Sequence, residues 1–308
     1  MKMDDGFGLV ETEGNNNNKD VVVVRHGPHR HMGRVGYVKR VIGKRKCRRV
    51  RVKKTTSPPE VSMVLQQLFL SCRQVFHGPG SVPLPADVQN LCTILDIMQP
   101  EDVGLCRDLQ FFNPEIQHLK GTPRVTYTTI YKCHNFSLCI FFIPANGVIP
   151  LHNHPGMTVF SKLLMGKMHI KSYDWVDPPT IANSNQHHHS LTPISQLRLA
   201  KLKADSVFTA PCDTSVLYPT SGGNIHAFTS ITPCAVLDVM GPPYSSEDGR
   251  DCSYYKDHPY ASFSNGEIGG QVSKEEGEDC YAWLEEIEMP ENSHMDGIEY
   301  LGPQVMDM

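Results

Sequence analysis

The chain has 308 residues, with 29 Lys and Arg against 33 Asp and Glu, a formal net charge of -4, and 40% hydrophobic residues. A chain of this size can bury a sizeable core, which excludes a small disulfide-stapled scaffold and a wholly disordered protein. It has no apolar run near the roughly 18 residues that cross a bilayer and no secretory pattern at its acidic start. We therefore expect a soluble intracellular protein with no membrane contact, whose ten cysteines, without any CxxC pair, are reduced thiols.

Residues 1–56 form an N-terminal arm with a distinct composition. Residues 34–54 hold 11 of the 29 Lys and Arg and no acid, so 18 basic residues face 33 acidic ones in the rest of the chain. Because the arm has no sustained amphipathic period, we predict that it is disordered. Such a basic block is typical of a nuclear import signal, a nucleic-acid patch or a solvated tail. We favour import, expect the nucleus and the cytoplasm as locations, and do not expect nucleic acid as a partner.

Two helices are predicted at the start of an ordered domain that spans residues 57–305. The first begins at Ser57, before two prolines, and has apolar residues at helical spacing as far as Phe76. The second runs from Ala86 to Met98. Short segments rich in Val, Thr, Ile, Tyr and Phe then follow: Val125–Cys133, Phe136–Ile143, Met157–Leu164, Met168–Trp175, Ser206–Ala210 and Cys234–Met240. This series predicts a mainly β domain, a sandwich or a barrel.

Several segments favour or exclude particular functions. The chain has no GxxxxGK[ST], GxGxxG or GxSxG motif, which argues against common nucleotide and serine-hydrolase chemistry. His187, His188 and His189 lie in a polar stretch, 181–196, which we interpret as a solvated insertion rather than a metal site. The acidic stretch 275–299 is interpreted as a late strand pair with a polar face.

The strongest chemical pattern is a pair of histidines, His152 and His154, in the segment GVIPLHNHPGMTV. Residues two apart on a strand point to the same side, so both imidazoles can reach one metal. A third histidine, His226, ends the Gly-rich segment PTSGGNIH. The three would form a facial set with open positions, which lets iron bind substrate and oxygen together. An HxH pair alone can also occur on a strand by coincidence.

The glycines and prolines around these histidines, in a strand-rich context, resemble the two motifs of the cupin superfamily, small double-stranded β-helix barrels with a central metal. Where that pattern has a carboxylate ligand, this chain has Val159, which cannot bind a metal. The site would therefore hold three neutral histidines. A metal held this way keeps its positive charge for an incoming anion, such as a thiolate.

Residues 57–305 resemble the plant cysteine oxidases, relatives of animal cysteamine dioxygenase, in the segments LHNHPGMTVFSKLLMGKMHIKSYDW, GGNIHAF and AVLDVMGPPYSSEDGRDCSYY. The resemblance implies an Fe(II)- and O2-dependent thiol dioxygenase that converts an N-terminal cysteine of a protein to cysteine sulfinic acid. The product can be arginylated and degraded through the N-degron pathway. The family acts as an oxygen sensor in hypoxia and controls group VII ethylene-response transcription factors.

The same resemblance implies roles for five residues. The iron ligands fall on His152, His154 and His226, and the catalytic candidates are Asp238 and Tyr244. Asp238 lies on an otherwise apolar strand, where it could orient a ligand histidine, hold the substrate ammonium or form a structural ion pair. Tyr244 follows a rigid Gly-Pro-Pro turn, which could direct its hydroxyl toward oxygen or sulfur at the iron or simply pack it at the barrel mouth.

Other features leave alternatives open. Cys252 and Tyr254 match a pair that can become cross-linked in the animal relative, and we treat them as ordinary core residues. A free thiol such as cysteine or cysteamine is the alternative substrate. The competing function is a non-catalytic nuclear cupin, in which the metal is structural and the basic arm binds DNA or a protein partner. We expect a monomer, whose acidic body suits a cationic peptide.

Overall fold

The structure, a computed structural model, describes residues 62–106, 108–109, 111, 124–176, 197–262 and 280–307. The basic arm and the His187–His189 run lie outside these residues, so their interpretations stay predictions. Within the described ranges, no helix combines the length and the apolar character that crossing a bilayer requires.

The described chain is mainly β, as predicted. Its helices are α1 (Met63–Val75) and α2 (Pro85–Ile97), followed by short 3-10 helices at Pro100–Val103, Tyr260–Ser262 and Glu291–Ser293. Its strands are β1 (Thr126–Lys132), β2 (Ser137–Ile143), β3 (Val148–Asn153), β4 (Thr158–Met165), β5 (Lys167–Trp175), β6 (Leu197–Thr209), β7 (Ser215–Leu217), β8 (Ile225–Ser230), β9 (Cys234–Gly241), β10 (Tyr254–Pro259), β11 (Tyr281–Ile287) and β12 (Asp296–Gly297).

The strands form two sheets, which we name the front sheet and the back sheet. The front sheet has the order β12-β1-β2-β9-β4-β7, and only β12 pairs in parallel, with β1. The back sheet has the order β10-β11-β6-β5-β8-β3 and closes on itself where β10 pairs with β3. This is the cupin double-stranded β-helix with N-terminal helices, and the predicted fold class is confirmed.

Helices α1 and α2 cover the outer face of the front sheet. The apolar core between the helices and the sheet includes Leu68 and Phe69 from α1, Leu95 from α2, and Phe160 and Leu237 from the sheet. Burial of each such side chain contributes about 1.5–3 kcal/mol. The first helix begins after Ser62, whose hydroxyl accepts a hydrogen bond from the Leu65 N–H at 3.3 Å. The predicted start at Ser57 is therefore five residues early, because Ser62 provides the cap.

The inner face of the front sheet meets the back sheet in a second apolar core. Val236 and Met240 of β9 pack there with Ile149 of β3 and Phe228 of β8. Every residue of β9 is buried, which explains why its sequence is nearly continuously apolar rather than alternating. Asp238, between Val236 and Met240 in this inward-facing series, is the charged exception.

Most predicted strands agree with the structure to within two residues, and two predictions need correction. Strand β6 begins at Leu197, nine residues before the predicted start. Its first half alternates apolar with charged residues, a pattern that forms a half-buried strand. Strands β11 and β12 do not pair with each other. Strand β11 pairs with β6 and β10, while β12 pairs with β1. Burial of Leu284 in the back-sheet core accounts for the position of β11.

Candidate metal centre

The structure brings His152, His154 and His226 together between the two sheets. His152 on β3 and His226 on β8 are partners in the strand register, and His154 lies just after β3. One ring nitrogen from each lies within 4.8 Å of the others, and the Nε2 atoms of His154 and His226 are 3.2 Å apart. A single ion bound about 2.1 Å from each nitrogen fits this spacing. Among the described residues, these three form the one cluster with ligand spacing.

The Gly-rich turn before His226 has a steric reason. Gly222 and Gly223 both have a φ of +84°, in the left-handed region. A Cβ atom on Gly222 would lie 2.8 Å from the Val216 carbonyl oxygen, and one on Gly223 would lie 2.6 Å from Ser172 Oγ. Only glycine fits both positions, so the turn can lead directly into β8 and place His226 opposite His152.

Hydrogen bonds at Nδ1 set the tautomers of two histidines. His152 Nδ1 lies 2.8 Å from the Pro150 carbonyl oxygen and donates to it. The Tyr244 hydroxyl donates to the Asn153 carbonyl oxygen at 2.8 Å, so it accepts from His154 Nδ1, also at 2.8 Å. With the proton on Nδ1, each ring keeps the Nε2 lone pair for a metal.

The three histidines are neutral at physiological pH. Burial lowers the pKa of His152 to about 4. Burial also lowers the pKa values of His154 and His226 well below the ordinary range, and repulsion from the neighbouring histidines adds to the effect. Neutral imidazole is the form that binds metals. Val159, at the position where cupins commonly have a carboxylate ligand, is buried in the apolar core and offers no ligand atom.

A small cavity separates the histidines from the front sheet. Its back-sheet wall includes the three histidines, Ile149 and Phe228, and its front-sheet wall is formed by Phe141, Asp238 and Met240. Tyr244, Cys252, Tyr254 and Met295 complete the lining. The apolar lining residues were not singled out from the sequence, because such residues in a strand-rich chain are typical of any core: Phe141, Ile149, Phe228, Met240 and Met295.

Asp238 faces this cavity without a counter-charge. It is 4% exposed, and its Oδ1 atom has no hydrogen-bond partner among the described residues. Burial raises the pKa of Asp238 to about 7. The described part of the chain contains neither an ion pair of Asp238 nor a hydrogen bond from it to a histidine. The described residues therefore show neither the histidine partner nor the ion pair suggested by the sequence, and the ammonium role of Asp238 stays a prediction.

Tyr244 lines the cavity and also contacts the ring of His154. Its hydroxyl lies between His154 Nδ1 and the Asn153 carbonyl oxygen. Burial raises its pKa well above the ordinary value, with further contributions from Cys252 and Asp238, so the phenol stays protonated. The geometry therefore makes Tyr244 a hydrogen-bond partner of His154, and a role of its hydroxyl toward oxygen or sulfur at the iron stays a prediction.

Cys252 and Tyr254 line the cavity, whereas the sequence analysis treated them as ordinary core residues. Tyr254 is buried, and its backbone is the register partner of His152. Burial raises the pKa of the Cys252 thiol, while the Tyr244 and Tyr254 hydroxyls act in the opposite direction. The thiol is therefore protonated and lies near both phenols.

Two asparagines next to the histidines were not identified from the sequence. Asn153, between His152 and His154, accepts a hydrogen bond from the Ser253 N–H at 2.8 Å through its side-chain oxygen. Asn224, two residues before His226, is buried and contacts the backbone of His154. Their position one or two residues from the histidines is the sequence signal that could have identified them.

Comparison with known proteins places all five predicted site residues inside one matched range. The family described as PCO_ADO matches residues 94–305. Plant cysteine oxidase 2 of Arabidopsis thaliana is 50% identical over 252 residues, which cover 79% of this chain and 83% of that protein. The 2-aminoethanethiol dioxygenase of Mus musculus is 30% identical over 258 residues, which cover 80% of this chain and 96% of its own. A solved RmlC-like cupin from Desulfovibrio desulfuricans has a TM-score of 0.27 at 16% identity and covers 46% of this chain and 94% of its own.

Proposed function

We propose that this chain, which belongs to the PCO_ADO family and is a thiol dioxygenase, oxidises an N-terminal cysteine of protein substrates to cysteine sulfinic acid with Fe(II) and O2. One observation carries the substrate assignment. The unpartnered carboxylate oxygen of Asp238 faces three neutral histidines across one cavity. A substrate with a thiol and a nearby ammonium would match both walls.

In this proposal His152, His154 and His226 hold the iron. Their donor set fits, because three buried, neutral imidazoles offer nitrogen ligands without adding negative charge. Iron supplies, when bound, the open positions and the redox chemistry that the reaction of a thiol with oxygen requires. Tyr244 orients His154 through the hydrogen bond to Nδ1, and the apolar residues Phe141, Met240 and Phe228 exclude water from the cavity.

Asp238 would bind the substrate ammonium. An N-terminal cysteine carries its ammonium two carbons from its sulfur, so the two groups can address opposite walls of a small cavity. A buried carboxylate without a partner is costly, and an ammonium would satisfy it with a charge-assisted hydrogen bond. The cation would also lower the pKa of Asp238 from about 7 and favour the ionised form. An internal cysteine has no such ammonium and would leave the carboxylate unpaired.

The test uses the full chain loaded anaerobically with Fe(II), a peptide that begins with cysteine, and the same peptide with its amine acetylated. On exposure to air, we expect a gain of about 32 Da on the free-amine peptide, since both oxygen atoms join the sulfur of the sulfinic acid. The acetylated peptide should stay unchanged. Equal oxidation of both peptides would contradict the N-terminal assignment, and no gain on the free-amine peptide with iron bound would contradict the proposed activity.

A small aminothiol is the second candidate substrate. The mouse relative at 30% identity is a 2-aminoethanethiol dioxygenase, and 2-aminoethanethiol also carries an ammonium two carbons from sulfur. Comparison of kcat/KM for that thiol, for cysteine and for the peptide decides between them, and we expect the peptide to have the highest value. If none of the three is oxidised by iron-loaded protein, the non-catalytic cupin becomes the better account.

The biological role is proposed on the same similarity. The 50% identity to a plant cysteine oxidase supports group VII ethylene-response transcription factors as substrates, oxygen sensing in hypoxia, and degradation of the oxidised product through the N-degron pathway. The basic block 34–54 supports the nucleus and the cytoplasm as locations and import as the role of the arm. Deletion of residues 1–56 from a fluorescently tagged chain should abolish nuclear accumulation but not peptide oxidation. An unchanged distribution would contradict the import role.

A further inference from the structure

We propose that Asn224 is a positioning residue for the metal centre, whose side-chain amide fixes the backbone of His154 against the strand that carries His226. The inference rests on the metal site of the proposed function. Asn224 lies immediately before β8, two residues ahead of His226, and is buried. No other side chain in the described ranges hydrogen-bonds to the His154 backbone on both its N–H and its carbonyl.

The amide replaces a strand pairing that has just ended. The β3–β8 register ends with the pair Asn153 and Ile225, so His154 lies one residue beyond it. Asn224 Oδ1 accepts from the His154 N–H at 3.1 Å, and Nδ2 donates to the His154 carbonyl oxygen at 2.9 Å. Nδ2 also donates to the Tyr218 carbonyl oxygen at 2.7 Å. Both N–H donors of the amide are thus used. The side chain gives the His154 backbone the two hydrogen bonds that a continued β3–β8 pairing would supply.

Asn224 is itself held from the far side by Asp174 of β5. One carboxylate oxygen, Oδ1, accepts from the backbone N–H groups of Gly223 and Asn224 at 2.8 and 3.1 Å. The other, Oδ2, accepts from the Gly222 N–H at 3.0 Å and lies 3.8 Å from Lys203 Nζ. The turn cannot shift without breaking these bonds, so the amide has a fixed support.

These contacts constrain His154 at two places. Asn224 fixes its backbone, and Tyr244 fixes its ring through Nδ1. Among the described residues, removal of the amide would leave the His154 N–H without a partner and its carbonyl oxygen with only the Met157 N–H, at 3.2 Å. The Nε2 atom of His154, 3.2 Å from that of His226, would then lose its defined position. Partners of this kind, next to the ligands, typically change metal affinity or activity by about 10–100-fold.

The experiment measures Co(II) binding, which requires no turnover. Metal-free wild-type protein, N224A and N224S are titrated anaerobically with Co(II), and the dissociation constant and the visible absorption spectrum of the complex are recorded. Serine keeps a hydrogen-bonding group but cannot reach both the N–H and the carbonyl of His154. We expect the dissociation constant to rise about 10–100-fold in N224A and less in N224S, with an altered Co(II) spectrum in both.

Ser230→Ala is the matched control. Ser230 lies on β8, the strand that follows Asn224, and is 1% exposed. Its hydroxyl accepts from the Gly147 N–H at 3.1 Å and donates to the Pro144 carbonyl oxygen. S230A should be destabilised yet bind Co(II) with the wild-type constant and spectrum.

Wild-type binding by N224A, or by N224S if N224A does not fold, would overturn the inference. An equal loss in S230A would also overturn it, because general destabilisation would then explain the effect. Failure of the wild-type protein to bind Co(II) would instead refute the metal site of the proposed function.

Discussion

The two walls of the cavity differ in how their polar groups are satisfied. On the back-sheet wall, His152 and His154 each have a partner at Nδ1, and the backbone of His154 is bonded to Asn224. On the front-sheet wall, Asp238 Oδ1 has no hydrogen-bond partner among the described residues. The first arrangement holds ring nitrogens at fixed positions, as a metal requires.

The front-sheet wall is costly by comparison. A buried polar group without a partner lowers the stability of the folded protein by about 1–3 kcal/mol, and more when it is charged. Such a group is useful where a ligand can satisfy it. The protein therefore has satisfied hydrogen bonds on the wall that would hold a metal. On the wall that would meet the substrate, it has a carboxylate oxygen without a hydrogen-bond partner among the described residues.

The largest expected effect follows loss of one histidine from the back-sheet wall. His226→Ala removes a ligand candidate whose Nε2 lies 3.2 Å from that of His154. We expect metal affinity to fall by more than the roughly 100-fold associated with partners outside the ligand set, and peptide oxidation to be abolished. Metal analysis after anaerobic Fe(II) loading and desalting measures this. Full iron content together with full activity would show that His226 is not a ligand.

The next effect concerns the charge on the front-sheet wall. The pKa of Asp238 is raised from 3.8 to about 7 in the metal-free fold, so unfolding releases its proton over the window between these values. Well below pH 3.8 the carboxyl is protonated in both states, so its titration does not change the free energy of unfolding. As pH rises to about 7, the free energy of unfolding of the wild type falls by on the order of 4 kcal/mol, which is about a thousandfold in the unfolding constant.

Asp238→Asn removes this titration. Urea unfolding of the metal-free proteins at several pH values should show D238N gaining stability relative to wild type between about pH 4 and pH 7. Other titrating groups are the same in both proteins and cancel in the difference. A difference in the free energy of unfolding that does not change with pH would contradict a carboxylate held without a partner.

Tyr244→Phe tests the support of the back-sheet wall with a smaller change. The ring stays, but His154 Nδ1 loses its acceptor and the Asn153 carbonyl oxygen loses its donor. We expect the dissociation constant for Co(II) to rise about 10-fold. Tyr173→Phe is the control, because its buried ring donates to Asp257 at 2.9 Å, away from the cavity. Equal effects of the two variants would remove the specific role of Tyr244.

The smallest effect compares one serine from each sheet, Ser161 on β4 and Ser230 on β8. Ser161→Ala removes a buried hydroxyl with no partner in the described ranges, so we expect the free energy of unfolding to stay the same or to rise by about 1 kcal/mol. Ser230→Ala removes a hydroxyl with two backbone partners and should lower it by about 1–3 kcal/mol. Denaturant unfolding of both variants measures the difference. Equal losses would show that the two hydroxyls do not differ in this way.

The fold and the histidine set could be predicted because their signals are local. Alternation along a strand places His152 and His154 on one side, and two glycines with positive φ explain the turn before His226. The strand pattern predicts the β class, and the resemblance in the metal segments identified the family. These features need no knowledge of which distant strands pair.

The rest depends on contacts between distant parts of the chain. The bond between Asn224 and His154 spans 70 residues, and no pattern within one strand predicts the register that permits it. The different partners of β11 and β12 were missed for the same reason. Whether Asp238 has a partner depends on residues from distant parts of the chain. Its apolar neighbours in sequence suggest that it lacks a partner but do not establish it.

The most direct test of the account crosses two enzymes with two substrates. Wild type and D238N, both loaded with Fe(II), are assayed for kcat/KM on a cysteine peptide and on the same peptide with the amine replaced by hydrogen. If Asp238 binds the ammonium, wild type should prefer the cysteine peptide by about 10–100-fold, as expected for a charged hydrogen bond. D238N should lose this preference. The same preference in both enzymes would contradict the central claim that the front-sheet wall recognises the substrate amine.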